Sequence, residues 1–341
     1  MKAVGIDPGT ATWDFVALKD GIFAKELTIP TEVVKKNPEE LIELIKKFSP
    51  KIVAAPSGYG LPLRDISELN DGDFFRINLK KHKTGYGGSL SDIGLTKVLK
   101  LLVESGISGY ILPGVKHLPS VPDYRKINKI DMGTPDKVCS AVLAVFGYEN
   151  YSGASFILAE IGSAFNAFIS VENGKIIDGI GGTLASSGMM SSGGMDGEIA
   201  YLLGGIQKES LFRGGAADVD EKFRDDYLIE GILKDIARLS AVTNSRTIIL
   251  SGSMSRNAEF RKKLENKIRD SKILSKFEIK TLINLPGAVN SSHAAQGAAL
   301  IADGLSGGKY GKLVNHMELK NACGSVFDYV YIKGFNESFI H

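Results

Sequence analysis

The chain has 341 residues, 43% hydrophobic and 23% charged, with a formal net charge of +2 at pH 7. That length exceeds what one core usually fills, so two domains are expected; the near-neutral charge offers no field for nucleic acid, and no signal peptide or apolar run of roughly 20 residues marks a membrane protein, so a cytoplasmic location is expected. Two cysteines, Cys139 and Cys323, exclude a disulfide framework, and five scattered histidines show no zinc spacing.

Near the N-terminus the apolar run 3–6 reaches Asp7, with Gly9 two residues on, Thr10 after it, and a second apolar run, 15–18, ending in Asp20-Gly21. Asp-Gly predicts a type I′ hairpin, because both central residues need a positive φ. The segment should therefore form a strand, a tight turn, a second strand and a hairpin return. Gly9 lets backbone approach a ligand closely, and the neighbouring N–H groups with the hydroxyls of Thr10 and Thr12 make a donor set suited to phosphate. Asp7 suits hydrated Mg²⁺, which takes one or two carboxylates and keeps most of its waters.

Asn37-Pro38-Glu39-Glu40 predicts a helix start, with a capping side chain, proline at the first position and acids at the positive end. A strand over 51–55 runs into Ser57-Gly58-Tyr59 and Arg64; ligands bind at the carboxyl ends of strands in open α/β sheets, so this loop is a candidate acceptor site. Residues 65–90 predict a long lid or binding loop, with the basic run 80–83 as solvated surface. Ser91 predicts the cap of a helix carrying Leu95, Val98, Leu99 and Leu102, and 110–112 a strand. Thr134-Pro135-Asp136 opens a further helix with Cys139 in its core pattern, and the first domain should end near 150.

The opening pattern then returns at matched spacing. An apolar run, 157–159, reaches Glu160, Gly162 and Ser163 follow, and the run 168–171 ends in Asn173-Gly174. Two such turns predict paired hairpins gripping one polyphosphate. Residues 179–197 are dense in glycine and serine, with Gly193 and Gly194 as further phosphate-loop candidates. A helix is expected over 228–242, then a strand over 247–250 delivering Gly252, Ser253 and Asn257. Residues 293–300 form a small-residue helix, and the aromatic run 327–332 between Gly324 and Gly334 predicts a short strand.

Asp7-Pro8-Gly9-Thr10 and Glu160-Ile161-Gly162-Ser163 resemble the two phosphate motifs of the superfamily that unites acetate and sugar kinases, heat-shock chaperone ATPases and actin. The resemblance implies an α/β protein of two duplicated ribonuclease H-like (actin-like ATPase) domains with a nucleotide cleft between them. Residues 1–150 would be the acceptor side, 151–308 the adenosine side and 309–341 a tail packing back on the body. Gly252, Ser253 and Asn257 look like the adenosine motif, and 293–300 like the hinge helix that crosses between the domains. Valine at Gly162 and Gly252 together should then abolish nucleotide binding in a protein that stays folded.

The segment 131–138 resembles the acyl kinases' Gly-Thr-Ser-His segment, with Asp136 at the histidine position. The stretch 188–197 is similar to the acetate kinase stretch beside the reacting phosphate, with Ser192 near the place of its arginine; Arg64 or Arg213 would stand in. The chain looks most like an archaeal-type group described as predicted butyrate kinases. What this implies is phosphotransfer from ATP to a small carboxylate, with Mg²⁺ oriented by Asp7 and Glu160 and the carboxylate anchored by Arg64. A carboxylate needs no general base, whereas an alcohol acceptor would use Asp131 or Asp136 as one. A kinase of a hydroxylated substrate and a nucleotide-switched ATPase stay open as alternatives. The partners expected are thus a small-molecule carboxylate and, as a possible assembly, a homodimer, with no nucleic acid and no membrane.

Overall fold

The computed structural model describes residues 2–79 and 93–335. It divides into two compact units, one comprising Met1–Ile130, Thr134–Tyr151 and Ile283–His341, the other Asp131–Gly133 and Ser152–Leu282. Residues 283–308, assigned from sequence to the second domain, thus cluster with the first.

The first unit is built on strands β1 (Lys2–Pro8), β2 (Thr12–Lys19), β3 (Ile22–Pro30), β4 (Ile52–Ala54), β5 (Arg64–Asp65) and β6 (Gly109–Ile111), in the order β3-β2-β1-β4-β6-β5. β1 to β3 form an antiparallel meander, and β4 joins β1 in parallel. The return between β2 and β3 has φ of 54° at Asp20 and 71° at Gly21, as its dipeptide requires. Side chains alternate across β1. Val4 and Ile6 enter a core with Trp13 and Phe15 of β2 and with Leu41, Ile45, Val98 and Leu99 of the helices Pro38–Phe48 and Leu95–Glu104. Gly5, on the other face, takes the helix His293–Leu305, where a Cβ would lie 2.2 Å from the Ala299 nitrogen. Gly297 of that helix meets the helix Pro135–Phe146 as closely, its Cβ position 1.9 Å from the Cys139 carbonyl oxygen. The small residues of 293–305 thus serve close packing inside the first unit.

Three local expectations need correction. Residues 65–79 are not loop: a 3₁₀ turn, Ile66–Glu68, and the helix Asp71–Asn78 follow β5. That helix is closed by a reciprocal box in which the Asn70 side chain accepts from the Asp73 N–H and the Asp73 side chain from the Asn70 N–H. Residues 80–92 lie outside the described residues, Ser91 among them, and the helix Leu95–Glu104 is entered through Gly94 at φ 78°. Asn37 precedes its helix without a side-chain capping bond. The tail holds no strand at 327–332. The Ser325 N–H donates to the Asp328 carboxylate (2.7 Å), Tyr329 turns to φ 61°, and the Phe327 ring stacks on Phe75. The Lys116 ammonium fastens this turn by donating to the Val326 carbonyl at 2.7 Å. Burial of one aromatic plug has outweighed β propensity here.

The second unit carries β7 (Phe156–Ile161), β8 (Asn166–Glu172), β9 (Lys175–Ile180), β10 (Thr247–Ser251) and β11 (Glu278–Thr281), in the order β11-β10-β7-β8-β9. Read from the other edge, β9-β8-β7-β10-β11 repeats β3-β2-β1-β4-β6, with matching strand directions. The duplication extends to irregularities: the register shifts at Ala17/Leu18 in one meander and at Ser170/Val171 in the other. Asn173 and Gly174 repeat the positive-φ pair at 50° and 73°. The helices Glu221–Ser240 and Ala258–Asp270 cover this sheet through Leu228, Ile232, Ile236, Phe260, Leu264 and Ile268. Among the described residues no helix is long and apolar enough to cross a membrane.

Candidate active site

The two turns predicted to hold phosphate are superposable in their bonding. The Gly9 N–H donates to the Thr12 carbonyl (2.9 Å) and the Gly162 N–H to the Phe165 carbonyl (3.0 Å). A Cβ at either glycine would sit 2.6 Å from that same carbonyl oxygen. Glycine is thus needed to close the turn, and its own N–H is spent there. Thr10 and Ala11 are exposed at the tip of the first turn and Ser163 at that of the second. Thr31 braces the first turn, its hydroxyl donating to the Gly9 carbonyl at 2.8 Å. Thr12 faces inward, its hydroxyl 3.3 Å from Asp14 Oδ2.

Behind the first turn lies a cluster of charge. Asp7 at the end of β1 pairs in register with Asp14 of β2, and Asp14 accepts from the Thr28 hydroxyl at 2.5 Å. The Ser292 hydroxyl, at the start of the helix His293–Leu305, donates to Asp7 Oδ2 at 2.6 Å. Burial, and then the negative charge of Asp136, push the Asp7 carboxyl up to about 7. Asp136 sits in the first turn of the helix Pro135–Phe146, bonded by the Thr134 hydroxyl and by the Lys137 ammonium at 2.6 Å. Burial works to raise its pKa, but Lys137 and Thr134 outweigh that and hold it below the usual carboxylate range.

The second turn is simpler. Glu160 is buried near the end of β7, and its register neighbours are Ala167 and Ser251, so no second acid stands across from it. Gly252 crosses directly over this point with φ 88°, and a Cβ there would lie 2.3 Å from the Ile161 carbonyl oxygen. Ser253 follows exposed, and Asn257 spends its side chain capping the helix Ala258–Asp270 through the Glu259 and Phe260 N–H groups, both at 3.0 Å.

The remaining candidates are less free than their sequence context implies. Asp131, in the second unit, accepts from the N–H groups of Gly133 (3.0 Å) and Thr183 (3.4 Å), against Gly181. Asp136 belongs to the first unit. Gly193 takes φ 80° and Gly194 donates to the Ala185 carbonyl at 2.8 Å, closing the glycine-rich loop on itself. Arg64 is partly exposed and rests 3.5 Å from the buried Asp73, which Arg76 also approaches at 3.7 Å. Ser57 is consumed by structure, donating to the Ala55 carbonyl (2.6 Å) and accepting the Leu112 N–H (2.9 Å). Arg213 is exposed at the end of a short 3₁₀ turn.

Sequence reading missed Asp14, Ser292 and Lys137. Asp14 had a signal: it is the one acid inside a strand whose six central residues are all buried. Lys137 had another, as a cation in a helix's first turn opposes the macrodipole and implies a local carboxylate. Ser292 had none, since it reaches Asp7 across 285 residues of sequence.

Mg²⁺ fits this arrangement. Asp7, Asp14 and Asp136 put more negative charge in one half-buried place than Lys137 balances. Among the described residues no three His, Cys, Asp or Glu side chains form a group that could hold a metal ion.

No curated protein matches the chain in sequence. The fold is similar to that of acetate kinase from Entamoeba histolytica, with a TM-score of 0.54 and 12% identity over 79% of this chain and 87% of that one. It is equally similar to Porphyromonas gingivalis acetate kinase, with a TM-score of 0.54 and 12% identity over 87% of this chain and 98% of that one. The architecture is therefore the duplicated ribonuclease H-like, actin-like ATPase fold. A family model described as "Protein of unknown function (DUF1464)" matches residues 5–332.

Proposed function

The chain belongs to the DUF1464 family, and from that premise and its fold we propose that it is an ATP-dependent kinase of a small carboxylate, butyrate- or acetate-like, forming an acyl phosphate. The observation that carries the reading is the repetition, in both units, of a strand ending in an acid followed by a glycine-closed turn with a hydroxyl at its tip. Thr10 and Ser163 bind phosphate oxygens. Asp7 and Glu160 are the carboxylates that would hold hydrated Mg²⁺. Mg²⁺ bound there would supply charge neutralisation to the phosphates and to the acid cluster of Asp7 and Asp136.

Ser292 holds the Asp7 carboxyl in one orientation through its 2.6 Å bond. Lys137 supplies the fixed cation nearest these acids, where the similar acyl-kinase segment has a histidine at 136. An acceptor that is already ionised suits a site whose Asp136 is held ionised by Lys137 and so is a poor general base. Catalysis is then positioning and charge neutralisation.

ATP turnover against a panel of short-chain carboxylates, polyols and sugars tests the reading. Stimulation by carboxylates supports it; stimulation by polyols or sugars alone moves the chain to the hydroxyl kinases, and acceptor-independent hydrolysis to a nucleotide switch. Arg64→Gln is expected to raise the carboxylate KM about tenfold, with Mg–ATP affinity unchanged, because a bidentate, charge-assisted contact is lost on the acceptor side alone. Arg76 remains beside Asp73 in that variant, so no buried charge is stranded. Wild-type acceptor kinetics in Arg64→Gln would remove the residue from the site.

A further inference from the structure

Glu26 lies on β3, the outer strand of the first sheet, and its carboxylate collects donors from one short segment of chain. The Val289 N–H reaches Oε1 at 3.1 Å and Oε2 at 3.2 Å, and the Asn290 N–H reaches Oε1 at 2.9 Å. Ser291 donates its N–H at 3.1 Å and its hydroxyl at 2.7 Å, both to Oε2. Three successive N–H groups turned onto one anion form a nest, and bonds to an ionised acceptor are about twice as strong as neutral ones. Burial works to raise the Glu26 carboxyl, but the donors on Asn290, Ser291 and Val289 outweigh it and hold it below the usual carboxylate range.

The loop does not need this strap to stay closed. Buried Gln296 already fastens it to the helix His293–Leu305, accepting from the Leu285 N–H at 2.6 Å and donating to the Asn284 side chain at 3.0 Å and the Ser291 carbonyl at 3.1 Å. What Glu26 adds is a fixed position against the sheet. Gly5, Val16 and Glu26 form one row of the strand register and Asp7, Asp14 and Thr28 another, two residues along each strand, so all six share the face on which Gly5 meets that helix. The segment 289–292 bonds to both rows. Its first three residues donate to Glu26, and the Ser292 hydroxyl donates to Asp7 Oδ2 at 2.6 Å. Ser292 Oγ also accepts the Ala295 N–H at 3.1 Å as the helix cap, which leaves its hydroxyl one direction.

We propose that Glu26 is a positioning residue: through the backbone of 289–291 it holds the Ser292 hydroxyl on Asp7 and so fixes the carboxylate that would meet Mg–ATP. The hold on Asp7 follows from the geometry of the free protein; its effect on nucleotide rests on the kinase reading. Glu26 is partly exposed on an edge strand, so Glu26→Gln leaves the core intact, while its amide turns donors toward donors and spoils the nest. In the protein without metal or nucleotide, at one fixed pH, the Asp7 carboxyl carbon resonance is assigned by its loss in Asp7→Asn. It should move in Glu26→Gln toward its position in Ser292→Ala, and the double variant should move it no further. In calorimetric titrations the Mg–ATP Kd should rise about tenfold in Glu26→Gln and in Ser292→Ala, with no further rise in the double variant. An Asp7 resonance unmoved in Glu26→Gln, wild-type Mg–ATP affinity in that variant, or an equal loss of affinity in the Ser292→Ala background each overturns the proposal. A wild type that binds no Mg–ATP removes the kinase reading instead, and the Asp7 resonance then decides the proposal by itself.

Discussion

Asp7→Asn is expected to make the free protein more stable at pH 8 and, at the same time, to abolish its stabilisation by Mg–ATP. The Asp7 carboxyl is half-buried, and desolvation there, with the charge of Asp136, raises it from an ordinary 3.8 to about 7. A raised acid means that the folded state holds its proton more tightly than the unfolded state does. Between pH 4 and 7 the slope of stability with pH from this group is therefore negative, and the loss is complete above 7. At that plateau the penalty is about 4 kcal/mol at most, at 1.36 kcal/mol per unit. Asparagine cannot ionise, keeps the shape and can still pair with Ser292, so it removes the penalty without a cavity.

Asp136 works in the opposite direction, since its depressed pKa contributes stability that is lost only as pH falls through the folded value, below 3.8. The two effects thus separate in pH. Unfolding free energies of wild type and Asp7→Asn should coincide near pH 4 and diverge up to pH 7. Under the proposed function the variant should also lose the Mg–ATP thermal shift, which for the wild type at a hundredfold excess over Kd corresponds to about 2.7 kcal/mol. Parallel stability curves from pH 4 to 8 would contradict the charge cluster; a retained Mg–ATP shift would contradict the metal role alone.

Gly252→Ala should cost about 3 to 5 kcal/mol of stability, although it adds a single methyl group. The residue has φ 88°, which L-residues rarely adopt, and its Cβ would lie 2.3 Å from the Ile161 oxygen and 2.6 Å from the Ile161 carbon and nitrogen. These are backbone atoms between Glu160 and Gly162, so they cannot rotate away as a side chain would. The expectation from sequence that valine here spares the fold is corrected on the same ground. Gly197→Ala provides the control, with no atom within 4 Å of its Cβ position and no positive φ, and should shift stability by less than about 0.5 kcal/mol. Urea midpoints for the two variants decide the matter: equal midpoints would mean that the β10 turn does not lie against β7 as described.

Much of the first layer was legible in the chain. Asp20-Gly21 and Asn173-Gly174 dictate the hairpin returns locally, because few other residues tolerate two successive positive φ angles. The matched spacing of Asp7, Gly9, Thr10 and Glu160, Gly162, Ser163 encodes the duplication that the two sheets repeat. Proline at 38 and at 135 marked helix starts for an equally local reason. The short polar helix Asp71–Asn78 escaped because its capping box uses Asp73 where Glu or Gln is the usual signal.

The sequence by itself determined the strand–turn–strand units and the acids at their ends, since these depend on φ preferences and on hydrophobic alternation within a few residues. Only the tertiary structure decided what those acids experience. Asp7 meets Asp14 through strand register, Asp136 through the packing of the helix Pro135–Phe146 and Ser292 through the helix His293–Leu305. The contacts with Asp136 and Ser292 join segments far apart in the chain, so no local pattern encodes the charge and packing that raise the Asp7 carboxyl. The tail was decided in the same way. Residues 327–332 have the composition of a strand, but no sheet edge pairs with them, and Phe327 gains more by stacking on Phe75.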